Sequence, residues 1–123
     1  MLYLLRSFGR NGITLLNIGY AKDFRKELAK YQDEYNPGAQ EVDHRPGDKV
    51  DETILHLYLH DLGYNEYMDN WYCDCQDVIN IFNLDQRRIN EEVWKRKDKI
   101  FSEDKLKDLR VAEAYSRLLK SIP

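Results

Sequence analysis

The chain has 123 residues, 42% of them apolar and 33% charged, with a formal net charge of −3. That length holds one domain with a real core, the composition excludes wholesale disorder, and no apolar run approaches the ~20 residues that span a bilayer. Residues 1–84 carry eight Lys/Arg against fourteen Asp/Glu, a net −6, and residues 85–123 carry eleven against eight, a net +3. An acidic front half speaks against general attraction to nucleic acid, which has to come from locally placed cations. Met1–Leu5 is apolar but lacks a basic leader, and Arg6 interrupts it, so it reads as a strand of a cytoplasmic protein.

Leu2–Ser7 and Ile13–Ile18 are short apolar runs flanking Asn11-Gly12, a turn dipeptide whose residues tolerate positive φ, and an antiparallel hairpin is expected. Phe24, Leu28, Tyr31 and Tyr35 then form one helical stripe over 23–35, which Asn36-Pro37-Gly38 stops. Ala39–Arg45 alternates in polarity, reads as a third strand, and ends at Pro46-Gly47. Asp48 is placed to cap a helix carrying Val50, Ile54, Leu57, Tyr58 and Leu62, with Asp51 and Glu52 near the positive end of its dipole and Gly63 at its close. A loop rich in Asn, Asp and aromatic residues leads to a short helix over 77–84. Two amphipathic helices follow, over 85–101 and 102–122, the second capped by Ser102 and striped by Leu106, Leu109, Ala112, Tyr115, Leu118 and Ile122. The expected class is α+β: a small three-stranded antiparallel sheet flanked by helices over residues 1–84, with a C-terminal helical extension over 85–123.

Five pieces of the first 84 residues occur in a telling order. They are Tyr3 on the first strand, Asn17-Ile18-Gly19 on the second, Asn36-Pro37-Gly38, Glu52-Thr53-Ile54-Leu55-His56, and Asp69-Asn70-Trp71-Tyr72 followed by Asp77-Val78-Ile79. Together they resemble the GIY-YIG endonuclease superfamily, in the phage and large-virus branch whose second strand reads K-I-G. The resemblance implies metal-dependent hydrolysis of a phosphodiester by activated water. It assigns hydroxyls to Tyr3 and Tyr20, a magnesium carboxylate to Glu52, and DNA contacts to Arg25, Lys26 and Lys30. A developing phosphoryl charge needs cations in the transition state.

The chain departs from that pattern where the family places its phosphate-binding arginine. Eight residues past Gly19 stands Glu27. Arg25 lies about 200° around the helix from that position; Lys26 is one step away and is the candidate replacement, although an ammonium lacks the bidentate fork of a guanidinium. The reading is therefore a nuclease-derived viral protein with an impaired site, binding DNA if it retains that surface and magnesium only if it is active. The alternative is a non-enzymatic structural or interaction component of a phage particle or other assembly, located in the host cytoplasm or the particle.

Other signals have plainer readings. Glu52, His56 and His60 fall at i, i+4 and i+8 and form a stripe able to chelate a transition metal, or simply a helix start with two histidines on a polar face. Cys73 and Cys75 bracket one residue, too narrow a bite for a zinc knuckle, and are expected as reduced thiols. Tyr64, Tyr67, Trp71 and Tyr72 either pack under their loop or stack on bases, and Lys95-Arg96-Lys97 with Lys99 reads as a solvated helix face. A core that resembles a complete domain has little open surface for two more helices. Leu106, Leu109, Tyr115, Leu118 and Ile122 either dock back on the sheet or face a protein partner, and the partner is the expectation.

Overall fold

The computed structural model describes residues 1–8, 12–34, 38–67 and 69–121. Strands β1 (Leu2–Phe8) and β2 (Thr14–Tyr20) pair antiparallel, Leu2 opposite Tyr20 and Phe8 opposite Thr14. The hairpin is as expected; Asn11 of its turn, like Tyr35, Asn36, Pro37 and Ile122, lies outside the described residues. Helix α1 spans Phe24–Glu34, with Asp23 accepting the Lys26 amide at its start, and β3 (Gln40–Arg45) then pairs antiparallel with β1 across a bulge at Leu4/Leu5.

The sheet has four strands, in the order β3-β1-β2-β4, where three were expected. The added edge is β4 (Trp71–Cys73), which pairs antiparallel with β2. Three residues show too little alternation to stand out from an aromatic loop, and pairing with a formed β2 makes them a strand.

Successive side chains alternate between the faces of a sheet. The register therefore puts Leu2, Leu4, Leu16, Ile18 and Tyr72 on one face and Tyr3, Leu5, Asn17, Gly19 and Trp71 on the other. The first face is covered by α2 (Lys49–Asp61), which starts with the expected Asp48 cap: the Asp48 carboxylate accepts the Asp51 amide and Asp51 reciprocates to the Asp48 amide, at 2.9 and 3.0 Å. Ile54, Leu55 and Leu59 are fully buried there. The second face is covered thinly by α1, of which Phe24 alone is buried while Leu28 is half-buried.

Helices α3 (Gln76–Phe82), α4 (Gln86–Lys95), α5 (Lys97–Ile100) and α6 (Leu109–Ser121) complete the chain. Helix α6 starts later than expected. Its amides are met by Asp108, whose carboxylate accepts the Arg110 N–H at 2.9 Å, while Ser102 lies before a separate 3₁₀ turn over Lys105–Lys107.

The C-terminal helices pack back onto α2, a correction to the surface expected of them. Ile89, Val93, Ile100, Phe101, Ala114 and Leu118 lie in the same core as Leu2, Leu4, Leu16 and Ile18. Leu118 is fully buried, Tyr115 stacks on Trp94 and meets Phe101, and Leu106 packs against the core; Leu109 is the one of the four described residues that faces solvent, at 79% exposure. The reason is geometric. The sheet takes up one side of α2, and the flanks left over bury the stripes of α4 and α6. Ion pairs fasten the seam: Asp61 receives Arg96 and Lys99 at 3.2 and 3.1 Å, and Arg117 reaches Asp48 at 2.7 Å. With Lys95 on Glu92 and Lys97 over the Trp94 ring, the basic run is absorbed into the fold's own contacts. Cys73 and Cys75 are free thiols. Among the described residues no helix is long and apolar enough to cross a membrane.

Candidate functional site

Between α1 and the thinly covered sheet face lies a groove of about 200 Å³, lined by Tyr3, Asn17, Phe24, Glu27, Lys30, Tyr31 and Glu34 among others. Its floor is set by backbone register. Tyr3 on β1 pairs with Gly19 on β2, and the phenol lies across the glycine so closely that an added Cβ would sit 2.3 Å from the hydroxyl oxygen. The Tyr3 ring also leans on Phe24, centroids 5.6 Å apart, and Tyr31 meets Trp71 at 5.9 Å.

Of the residues assigned to this chemistry, the groove gathers Tyr3 and Lys30 but not the others. Tyr20 is opposite Leu2 in the register, so it projects from the other face and packs against the core. Lys26 is exposed on α1 outside the groove, and Arg25 lines a separate cleft with Met1, Lys22, Asp23, Phe24, Glu41 and His44. Glu27, itself exposed, lines the groove together with Tyr3. Burial, then the charges of Glu27 and Glu52 and the neighbouring Tyr31, push the Tyr3 phenol up to about 12. At neutral pH the Tyr3 phenol is therefore protonated and available as a hydrogen-bond donor.

Glu52 stands elsewhere, in a second cavity of about 260 Å³ between α2, the segment before β4, and the start of α6. It is 7% exposed; one carboxylate oxygen is enclosed without a hydrogen-bond partner and the other is 3.6 Å from His56 Nε2. These residues do not fit the magnesium ion implied by the resemblance. Such an ion keeps several waters in an open octahedral shell, whereas one oxygen of this carboxylate is enclosed and the other faces the His56 imidazole at 3.6 Å.

The histidines following Glu52 belong to a network with two residues that the sequence reading did not connect to them, Glu66 and Tyr72. His56 donates from Nε2 to the Ile18 carbonyl at 3.2 Å and accepts at Nδ1 from the Tyr72 hydroxyl at 2.5 Å, while His60 Nε2 meets Glu66 Oε1 at 2.7 Å. Burial, with Glu66 and Glu52 adding to it, raises the Tyr72 phenol far above its ordinary value and keeps it protonated as donor. The i, i+4, i+8 spacing flagged the α2 half of this cluster. Once β4 pairs with β2, alternation from Trp71 turns Tyr72 toward α2, a signal that needs the strand to be known first.

Comparison of the chain with protein-family models, with curated proteins and with solved structures finds no match.

Proposed function

We propose that this chain is a GIY-YIG-like, nuclease-derived domain that does not cut nucleic acid, and that its groove receives a basic side chain of a protein partner. The observation that carries this reading is Glu27 beside Tyr3 in the groove. A phosphodiester entering there would meet, among the described residues, the carboxylates of Glu27 and Glu34 against the one ammonium of Lys30. Removing one oriented donor from a phosphoryl-transfer site costs about 10²–10³ in rate, and reversing its charge costs more. The same walls favour a cation: two carboxylates over a floor of Tyr3, Phe24 and Tyr31 suit a guanidinium or ammonium, which gains both charge pairing and contact with ring faces. The partner reading follows the alternative of an interaction component in an assembly, with the contact at the groove instead of the C-terminal helices.

The test has two arms. Supercoiled DNA and RNA incubated with the chain and magnesium or manganese are expected to remain intact, and an arginine-containing peptide is expected to shift the amide signals of Asn17 and Glu27 in a way that Glu27→Gln weakens. Glu27→Arg should reverse the preference, losing the peptide and raising affinity for DNA at low salt. Robust cleavage by the unaltered chain, abolished by Glu52→Ala, would overturn the proposal.

A further inference from the structure

The cluster on the α2 face of the sheet is independent of the groove and of any nuclease ancestry. His56 and His60 stand one turn apart on α2, and Glu66 comes from the segment that follows. Glu66 Oε1 is 2.7 Å from His60 Nε2 and 4.0 Å from His56 Nδ1. The Tyr72 hydroxyl sits among the same atoms, 2.5 Å from His56 Nδ1 and 3.4 Å from His60 Nε2.

The far sides of these groups are already tied down. The Ile18 carbonyl takes the proton of His56 Nε2, so the lone pair of Nδ1 faces the cluster; the second oxygen of Glu66 accepts the Asn70 amide at 2.7 Å. Backbone partners that fix an imidazole's tautomer and a carboxylate's direction are the usual outer support of a metal ligand. Zinc binds nitrogen and oxygen at ~2.0–2.2 Å, which sets neighbouring donors about 3.4 Å apart in a tetrahedral site. The two Glu66 separations, 2.7 and 4.0 Å, fall on either side of that value. Among the described residues no group of three His, Cys, Asp or Glu side chains is arranged to hold a metal ion as it stands; the donors are joined in pairs, His60 with Glu66 and His56 with Tyr72. The enclosed oxygen of Glu52, one turn before His56, has no hydrogen-bond partner. At the cavity rim Lys49 and Arg110 are offset by Asp69 and Asp108.

We propose that His56 Nδ1, His60 Nε2 and Glu66 Oε1 form a binding site for a zinc-class divalent cation, with water from the adjoining cavity in the fourth position. Binding displaces the proton shared by His60 and Glu66 and turns the Tyr72 hydroxyl from His56 toward the bound water or Glu66. Imidazole and carboxylate donors suit zinc and cobalt over magnesium.

The experiment is a calorimetric titration of the chelator-treated full chain with Zn²⁺, alongside the visible absorption of Co²⁺ added to the same protein. One ion per chain at micromolar affinity or tighter is expected, with cobalt bands of nitrogen and oxygen coordination. His60→Ala and Glu66→Gln should each weaken binding by at least about 10-fold, and Cys73→Ser with Cys75→Ser should leave it unchanged. His60 has a side chain 44% exposed, and Gln at 66 keeps an acceptor for Asn70, so both variants should hold the metal-free melting temperature. Absence of binding at micromolar metal, cobalt bands of thiolate type lost in the cysteine variant, or affinity unmoved by both His60→Ala and Glu66→Gln would each overturn the site.

Discussion

A Cβ built at Gly19 would stand 2.3 Å from the Tyr3 hydroxyl oxygen and 2.4 Å from the ring carbon bearing it. Gly19 has no positive φ, so the demand for glycine here is purely one of space. Gly19→Ala should therefore cost about 1–3 kcal/mol by forcing the ring off its seat, and most of that cost should vanish when Tyr3→Ala is already present. A double-mutant cycle by denaturant unfolding measures the coupling, and additive effects would show that the phenol has another place to lie. Tyr3 also sets a response to alkali. Its folded value is raised from 10.0 to about 12 because the neutral phenol is preferred inside. The sign follows from that preference: stability is unaffected below the unfolded value and falls as pH rises from about 10 toward 12, where the unfolded chain ionises first. Tyr72 is raised further and adds to the same loss. Melting temperature followed from pH 9 upward should drop, and Tyr3→Phe should flatten the first part of the drop.

The elements differ in how plainly the amino acids announce them. The β1–β2 hairpin, α1, α2 with its Asp48 cap, and the third strand follow from periodicity and turn chemistry, because each is specified by residues adjacent in the chain. Strand β4 is not, since Trp71–Cys73 becomes a strand through pairing with β2. The start of α6 differs from the expected one because Ser102 and Asp108 are both good caps, and tertiary packing of Leu118 and Ala114 against α2 selects between them. At the site, Tyr3 over Gly19 is legible as two residues of one motif, but the opposite orientation of Tyr20 follows only from the register. Glu66 and Tyr72 are invisible beside His56 and His60 until the chain folds. The packing of α4 and α6 yields its own prediction. Removing residues 85–123 should leave the remainder unable to hold its native fold, since it takes Ile89, Val93, Ala114 and Leu118 out of the shared core and strips Asp61 and Asp48 of their cations. Circular dichroism and melting of the truncated chain read this directly; a cooperative, native-like transition would make the C-terminal helices a separable arm.

At the scale of the molecule, the seam between Arg117 and Asp48 joins residues far apart in sequence, and it closes the same core that Leu2 and Leu4 begin. Synthesis proceeds from the amino end at about 5–20 residues per second, and a ribosome delivers the chain in that order. The sheet leucines and the apolar face of α2 are therefore made seconds before Ala114 and Leu118 exist to cover them. During that interval the nascent chain presents a sheet and a helix with one flank bare, a surface suited to a holding chaperone and prone to self-association. Folding of this protein is thus expected to finish only after the codons for α6 have been read, and slowing translation across that stretch should lengthen the vulnerable interval without altering the final structure.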